Sequence, residues 1–167
     1  MPGPRRLLSL EEVLELLATG PQRIAGATAG APAAALREPL EPGGWSGGEI
    51  LAHLRACEWT LGGYVVRILD EDHPTFRYES PRSTIRRTDF LTRSFAESLE
   101  RLTADRIDLL THIRAAGGEL TTRAATVKLA SRGEVQRTAF DYAHQLAEHE
   151  HQHVEHLERV MAARRGS

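Results

Sequence analysis

Four histidines fall within the stretch LAEHEHQHVEHLERV near the C-terminus, at positions 149, 151, 153 and 156. Imidazoles at this density are metal ligands, proton carriers or both. Residues 149–153, HEHQH, also match H-E-x-x-H, in which two histidines four residues apart hold zinc and the glutamate acts as general base. What the stretch can do depends on the face each histidine takes and on a further ligand from elsewhere.

A helix turns about 100° per residue, so from His149 the ring of His153 lies about 40° round and that of His156 about 20° the other way. These three share a face. Ala139, Tyr142, Leu146, Val160 and Met161 extend it, and it reads as the core stripe. His144 and His151 fall opposite, among Glu148, Glu155 and Arg159, on the solvated side. Inward imidazoles left without partners cost about 1–3 kcal/mol each, so something inside the fold must satisfy them.

Zinc proteases with this motif take their third ligand downstream. Here the position six residues beyond it is Arg159, and no extended edge is visible to hold a peptide. Glu150 lies at the stripe edge, as a solvated or supporting carboxylate. A di-iron site needs Glu-x-x-His on two helices, and both matches, Glu148–His151 and Glu150–His153, lie on one segment. Upstream, His53 in ILAHL borders an Ile50–Leu54–Cys57 stripe. His53, His149 and His153 would make a three-histidine site with open positions for water or substrate. Neutral ligands leave the full charge on a divalent ion, which favours an anionic fourth ligand such as hydroxide or thiolate. Zinc fits such a site first, with nickel, iron or manganese as the other candidates. Cys57 reads as a small buried hydrophobe, with thiolate ligation as the alternative. Arg77, Arg82, Arg86 and Arg87 crowd one connection and read as a solvated loop, the alternative being collection of an anionic cosubstrate.

Holding these side chains takes long helices. Ser9 and Glu12 form a capping box before a Leu10, Val13, Leu14, Leu17 stripe, which Gly20–Pro21 is expected to end. Residues 26–44, rich in alanine, glycine and proline, read as a connection. In GGWSGGEILAHL, Ser46 and Glu49 cap a second helix, Trp45 and Ile50 staple it, and its stripe is Ile50, Leu54, Cys57, Leu61, Tyr64 and Ile68. A third helix is expected from Thr88 to Ala116, with Leu91, Phe95, Leu102, Leu109 and Ile113 inward. Residues 119–137 read as a mixed connection without a strand pattern. A fourth helix starts at Thr138, with Asp141 three residues into it, and runs to the last residues. The fold class is all-α, a four-helix bundle in one domain over residues 1–167. Such caps and stripes belong to a bundle that folds by burial and uses its ion for reaction. Leu16, Phe90 and Leu110 exceed a single stripe and point to an interface.

Composition narrows the partners. Of 167 residues 41% are hydrophobic and 26% charged, with a net charge of −2, so nucleic acid is not expected. No apolar run approaches a membrane span, and Glu11, Glu12 and Glu15 break the N-terminal leucine run that a signal peptide would need. The single cysteine fits a reducing compartment, the cytoplasm.

GGWSGGEILAHL, followed much later by HEHQHVEHL, resembles the DinB/YfiT-like superfamily, and ASRGEVQRTAFDYAHQLAEH is similar to that family's run-in to its last helix. The resemblance implies a DinB/YfiT-like four-helix bundle with an internal divalent-metal site, His53, His149 and His153 as its ligands, and often a homodimer. Many relatives carry glutamine where this chain has His156. Members with known activity include thiol-dependent transferases using bacillithiol or mycothiol and a thiol-dependent maleylpyruvate isomerase. The implied function is a metal-dependent enzyme, a thiol S-transferase or small-molecule hydrolase acting on a small-molecule substrate with a low-molecular-weight thiol. The alternative is a non-catalytic metal-binding or stress-associated protein whose ion is structural.

Overall fold

Reciprocal capping boxes start the long helices: Ser9 with Glu12, Ser46 with Glu49, Ser94 with Glu97 and Thr138 with Asp141. In each, the hydroxyl accepts from the N3 backbone N–H while the carboxylate accepts from the cap's own N–H, which satisfies two donors the helix cannot pair internally. The computed structural model describes residues 6–131 and 133–166; the ends of the expected domain, 1–5 and 167, lie outside them. Helix α1 spans Leu10–Thr28 and α2 Gly47–Cys57. A π-helical turn, Glu58–Gly62, joins α2 to α3, Gly63–Asp70. Short α4 covers Pro81–Arg87, α5 Phe95–Ala116, α6 Glu119–Thr122 and α7 Ala139–Arg165. Helix α1 lies along α7 and α5, α2 against α5, and α3 against α7, which makes the four-helix bundle.

Gly20–Pro21 does not end the first helix; α1 runs through it to Thr28. Proline removes the hydrogen bond that the carbonyl of Leu17, four residues back, would receive. Here the Arg106 Nη1 donates to that carbonyl at 2.7 Å, so the helix continues with its acceptor satisfied from α5. The third long helix starts at Phe95, not Thr88, because the Ser94–Glu97 box is the stronger start. Residues 90–92 form a 3₁₀ turn, and Leu91 is exposed. After the π turn the inward positions are Val65, Ile68 and Leu69, where an uninterrupted α count gives Tyr64. The extra residue of a π turn produces this change of phase.

The expectation of no strands is also corrected. β1 (Thr75–Arg77) pairs parallel with β2 (Ala124–Leu129), and β2 pairs antiparallel with β3 (Gly133–Thr138), Val127 opposite Val135. Ala125 and Val127 face inward while Lys128 faces out, an alternation too short and too poor in large side chains to stand out in the sequence. The antiparallel pair closes at Gly133, whose φ of +70° suits glycine. Phe90 and Leu110, which pointed to an interface, are buried within the chain, and Leu16 packs partly buried on the core.

The core divides into two large apolar clusters and a small third one of Ala52, Ala56 and Phe90. One large cluster holds Leu17, Leu61, Leu109 and Leu146; the other holds Ile24, Leu54, Leu102 and Val154. Between these two lies a polar layer of Glu58 from the π turn, Arg106 from α5 and Glu150 from α7, with Gly20 of α1 making room for it. Arg106 Nε donates to Glu58 at 3.1 Å, and its Nη1 donates to Glu150 Oε1 at 2.9 Å. A Cβ on Gly20 would stand 1.9 Å from Glu150 Oε1 and 3.0 Å from its Cδ. That carboxylate is held by Arg106 and cannot swing aside without breaking the layer. Gly20→Ala is therefore expected to destabilise by about 1–3 kcal/mol despite alanine's better helix propensity. A thermal midpoint at or above wild type would show that the layer yields.

Candidate metal centre

The α2 cap brings His53 about two turns into a helix whose inward stripe is apolar, and α7 brings His149 and His153 to meet it. His53 Nε2 lies 2.7 Å from His149 Nε2. The His153 ring centre is 5.2 Å from that of His53 and 4.8 Å from that of His149. Cys57 Sγ is 3.6 Å from His53 Nε2, and ligand atoms of His53, Cys57 and His149 fall within 4.8 Å of one another. Trp45 stacks parallel on His153 at 5.9 Å and meets His53 edge-on at 5.1 Å. The three histidines singled out in the sequence thus meet, with Cys57 and Trp45 around them.

Their setting differs from the sequence reading. The buried arc of α7 runs through Ala143, Leu146, Ala147, Glu150, Val154 and Leu157, so it is centred near Glu150. His153 stands about 60° and His149 about 100° from that centre. The histidines therefore border the core at the wall of a cavity. Glu150 is not a solvated or edge carboxylate: it is 2% exposed and bound to Arg106. His144 and His151 are half-buried on the α1 side: His144 Nε2 accepts from the Leu8 N–H at 3.0 Å, and His151 lies with Nδ1 3.0 Å from Arg23 Nη1 and Nε2 3.2 Å from exposed Glu155. His156 stands apart from the cluster, with Nε2 3.3 Å from a Glu41 carboxylate oxygen.

The cavity beside the cluster is about 420 Å³ and is walled by Trp45, His53, Cys57, Leu61, Ser80, Pro81, Arg82, Gln145, His149 and His153. Burial, then the neighbouring His149 and Arg82, push the pKa of His53 down to about 4. Burial and the other histidines hold His153 at about 4, and burial lowers His149 against the pull of Glu148 and Glu150. All three are neutral at physiological pH and present lone pairs, the form in which imidazole binds a metal. His53 Nδ1 is buried with no hydrogen-bond partner, which leaves Nε2 as the nitrogen directed at the cluster. Burial and the Glu150 and Glu58 charges push the Cys57 thiol up to about 12, so by itself it stays protonated. The ligand atoms close enough to share one divalent ion are those of His53, Cys57 and His149, while His153 stands beside them by ring distance.

The same shifts give a pH dependence. Unfolded histidine titrates near 6.5, whereas folded His53 and His153 titrate near 4. Between those values the unfolded chain binds more protons, so stability falls as pH drops through this window. It levels off below 4, where both states are protonated. The urea midpoint of metal-free protein should decline across this range, and a His53→Leu/His153→Leu variant should flatten the decline. An unchanged slope in that variant would mean that other groups govern it.

A family model described as the DinB superfamily matches residues 16–157. Among solved structures, YfiT from Bacillus subtilis, described as a probable metal-dependent hydrolase with an unusual four-helix bundle topology, superposes with a TM-score of 0.76 at 19% identity, covering 98% of this chain and 93% of its own. TT2238, a four-helix bundle protein, superposes with a TM-score of 0.58 at 22% identity, covering 90% of this chain and 99% of its own. No curated protein matches the sequence. Among the described residues no helix is long and apolar enough to cross a membrane.

Proposed function

The chain belongs to the DinB superfamily, and from that premise we propose that it is a divalent-metal-dependent enzyme acting on a small molecule. His53, His149 and His153 hold the ion, with zinc as the first candidate. The observation that carries this reading is the meeting of three neutral imidazoles on the wall of a cavity of ligand size. A divalent ion there supplies Lewis acidity and brings the pKa of a coordinated water or thiol towards neutrality. Trp45 steadies the His153 ring by stacking, and Leu61 and Pro81 give the cavity dry walls. Glu150, tied to Arg106, does not serve as a general base, which separates this site from H-E-x-x-H proteases. The reactions that suit the site are S-transfer from a low-molecular-weight thiol to an electrophile, or hydrolysis as in the description of YfiT. A cytoplasmic homodimer belongs to this reading; light scattering tests the assembly.

Metal analysis of protein purified without a histidine tag comes first, followed by thiol conjugation to monochlorobimane and a panel of hydrolysable esters and amides. Bound ion together with catalysis that chelation abolishes is the expected result. Absence of bound metal after exposure to zinc, nickel, iron and manganese would overturn the reading.

One observation favours a second reading, a structural ion. Nitrogen and sulfur ligands on one tetrahedral zinc stand about 3.5 Å apart, and Cys57 Sγ lies 3.6 Å from His53 Nε2. Four protein ligands would close the site. In cobalt-substituted protein, a sulfur-to-cobalt charge-transfer band that Cys57→Ser removes, joined to loss of helicity on chelation, would establish this reading. A helical metal-free protein with a cobalt spectrum insensitive to Cys57→Ser favours the enzyme.

A further inference from the structure

We propose that the cavity beside the histidines takes a small organic anion, a carboxylate with an apolar body, and that Arg82 holds its charge. The inference rests on reading this cavity as the substrate site, but it does not require the ion.

Of the four arginines crowded into the connection after α3, the structure singles out one. Arg87 pairs with Glu79, Arg86 donates to Ser83, and Arg77 lies on β1 away from the cavity wall. Arg82 lines the cavity and, among the described residues, makes no hydrogen bond or ion pair. It is the only permanently charged side chain on that wall, which carries no carboxylate. The nearest buried carboxylates, Glu58 and Glu150, are already engaged by Arg106. An anion entering the cavity therefore meets a free guanidinium and no carboxylate on the wall itself, although the Glu148 and Glu150 charges reach the His149 side. The positive field of Arg82 already reaches the cluster, since it contributes to the lowered pKa of His53.

The rest of the wall defines the class. Leu61, Pro81 and the Trp45 ring offer apolar surface to a carbon skeleton, while Ser80 and Gln145 can add hydrogen bonds beside Arg82. A single planar guanidinium matches the two oxygens of a carboxylate in a fork, whereas a doubly charged phosphate would call for more cations than this wall provides. A divalent ion on the histidines would carry the same sign as Arg82, so an anion between the two relieves their repulsion.

The test is calorimetric titration of metal-free protein at neutral pH with benzoate and with benzamide, its neutral counterpart. Wild type should bind benzoate roughly ten-fold more tightly, the scale of one charge-assisted hydrogen-bonded pair. In Arg82→Gln the preference should fall to near unity, Arg82→Lys should keep part of it, and Arg86→Gln should keep all of it. Equal binding of the two probes by wild type, a preference that survives Arg82→Gln, or no benzoate binding at millimolar concentration would each overturn the proposal. A parallel metal titration separates this from the enzyme reading. Protein that prefers benzoate but binds no metal sinks the enzyme and leaves Arg82 its role, and protein that binds metal without the preference does the reverse.

Discussion

Replacing any one of His53, His149 or His153 by alanine is expected to strip the protein of its divalent ion. A site with three protein ligands keeps two after such a change, and two imidazoles hold an ion far more weakly than three. Losing a contact that merely supports a ligand already lowers metal affinity by roughly 10–100-fold, and losing a ligand should exceed that. His144→Ala and His151→Ala are the controls. Both lie on the same helix and have the same chemistry, but they turn to Leu8 and Arg23 on the α1 side. They should retain the ion while losing some stability, His144→Ala through the Leu8 N–H it leaves unpaired. Metal content after dialysis, measured by elemental analysis, reads the difference. Full retention in His53→Ala would remove α2 from the site, and with it the reason for reading the two α7 histidines as half of a centre.

The legible parts of this molecule are those encoded over a few residues. Ser9–Glu12, Ser46–Glu49 and Thr138–Asp141 are signals of three-residue span, and each starts a helix where it was expected. His149 and His153 are four residues apart and share a face whatever packs on it. What the sequence hid is the phase of that face. Counting large apolar side chains aligns Tyr142, Leu146 and Val160 with the histidines and pushes Glu150 to the edge. The small residues Ala143 and Ala147 are as buried as any leucine, and they rotate the stripe onto Glu150. The polar layer left a trace that only tertiary knowledge makes readable. Glu58 follows Leu54 and precedes Leu61 at helical spacing, and Arg106 stands likewise between Leu102 and Leu109. Inward charges of opposite sign on different helices are the signature of a buried ion pair. Gly20–Pro21, read as a stop, is instead where α1 makes room for that layer. Trp45, read as a staple, also walls the metal centre.

Arg106→Leu should be the most damaging single change in the core. The guanidinium is 2% exposed and binds Glu58, Glu150 and the Leu17 carbonyl. Leucine would fill much of its volume but leave two carboxylates facing each other in the dry interior and a helix carbonyl without a donor. Removing one partner of a buried ion pair costs about 3–5 kcal/mol, a large part of the roughly 5–15 kcal/mol that holds a domain together. The direction of the pH response identifies the cause. Burial already raises the Glu58 pKa against the pull of Arg106, and without Arg106 it must rise further. A carboxyl whose folded pKa lies above its unfolded value binds more protons when folded, so its stability is lost as pH rises through the folded value. The variant should therefore recover part of its deficit on mild acidification, before general acid unfolding sets in. Adding Glu58→Gln, which keeps the shape and removes one charge, should restore part of the loss at neutral pH as well. Urea midpoints of the single and double variants decide the matter. A single variant within about 1 kcal/mol of wild type, or a double variant no better than the single, would mean that the carboxylates find water or protons at little cost. The layer would then be a packing feature and not the electrostatic joint between the two halves of the core.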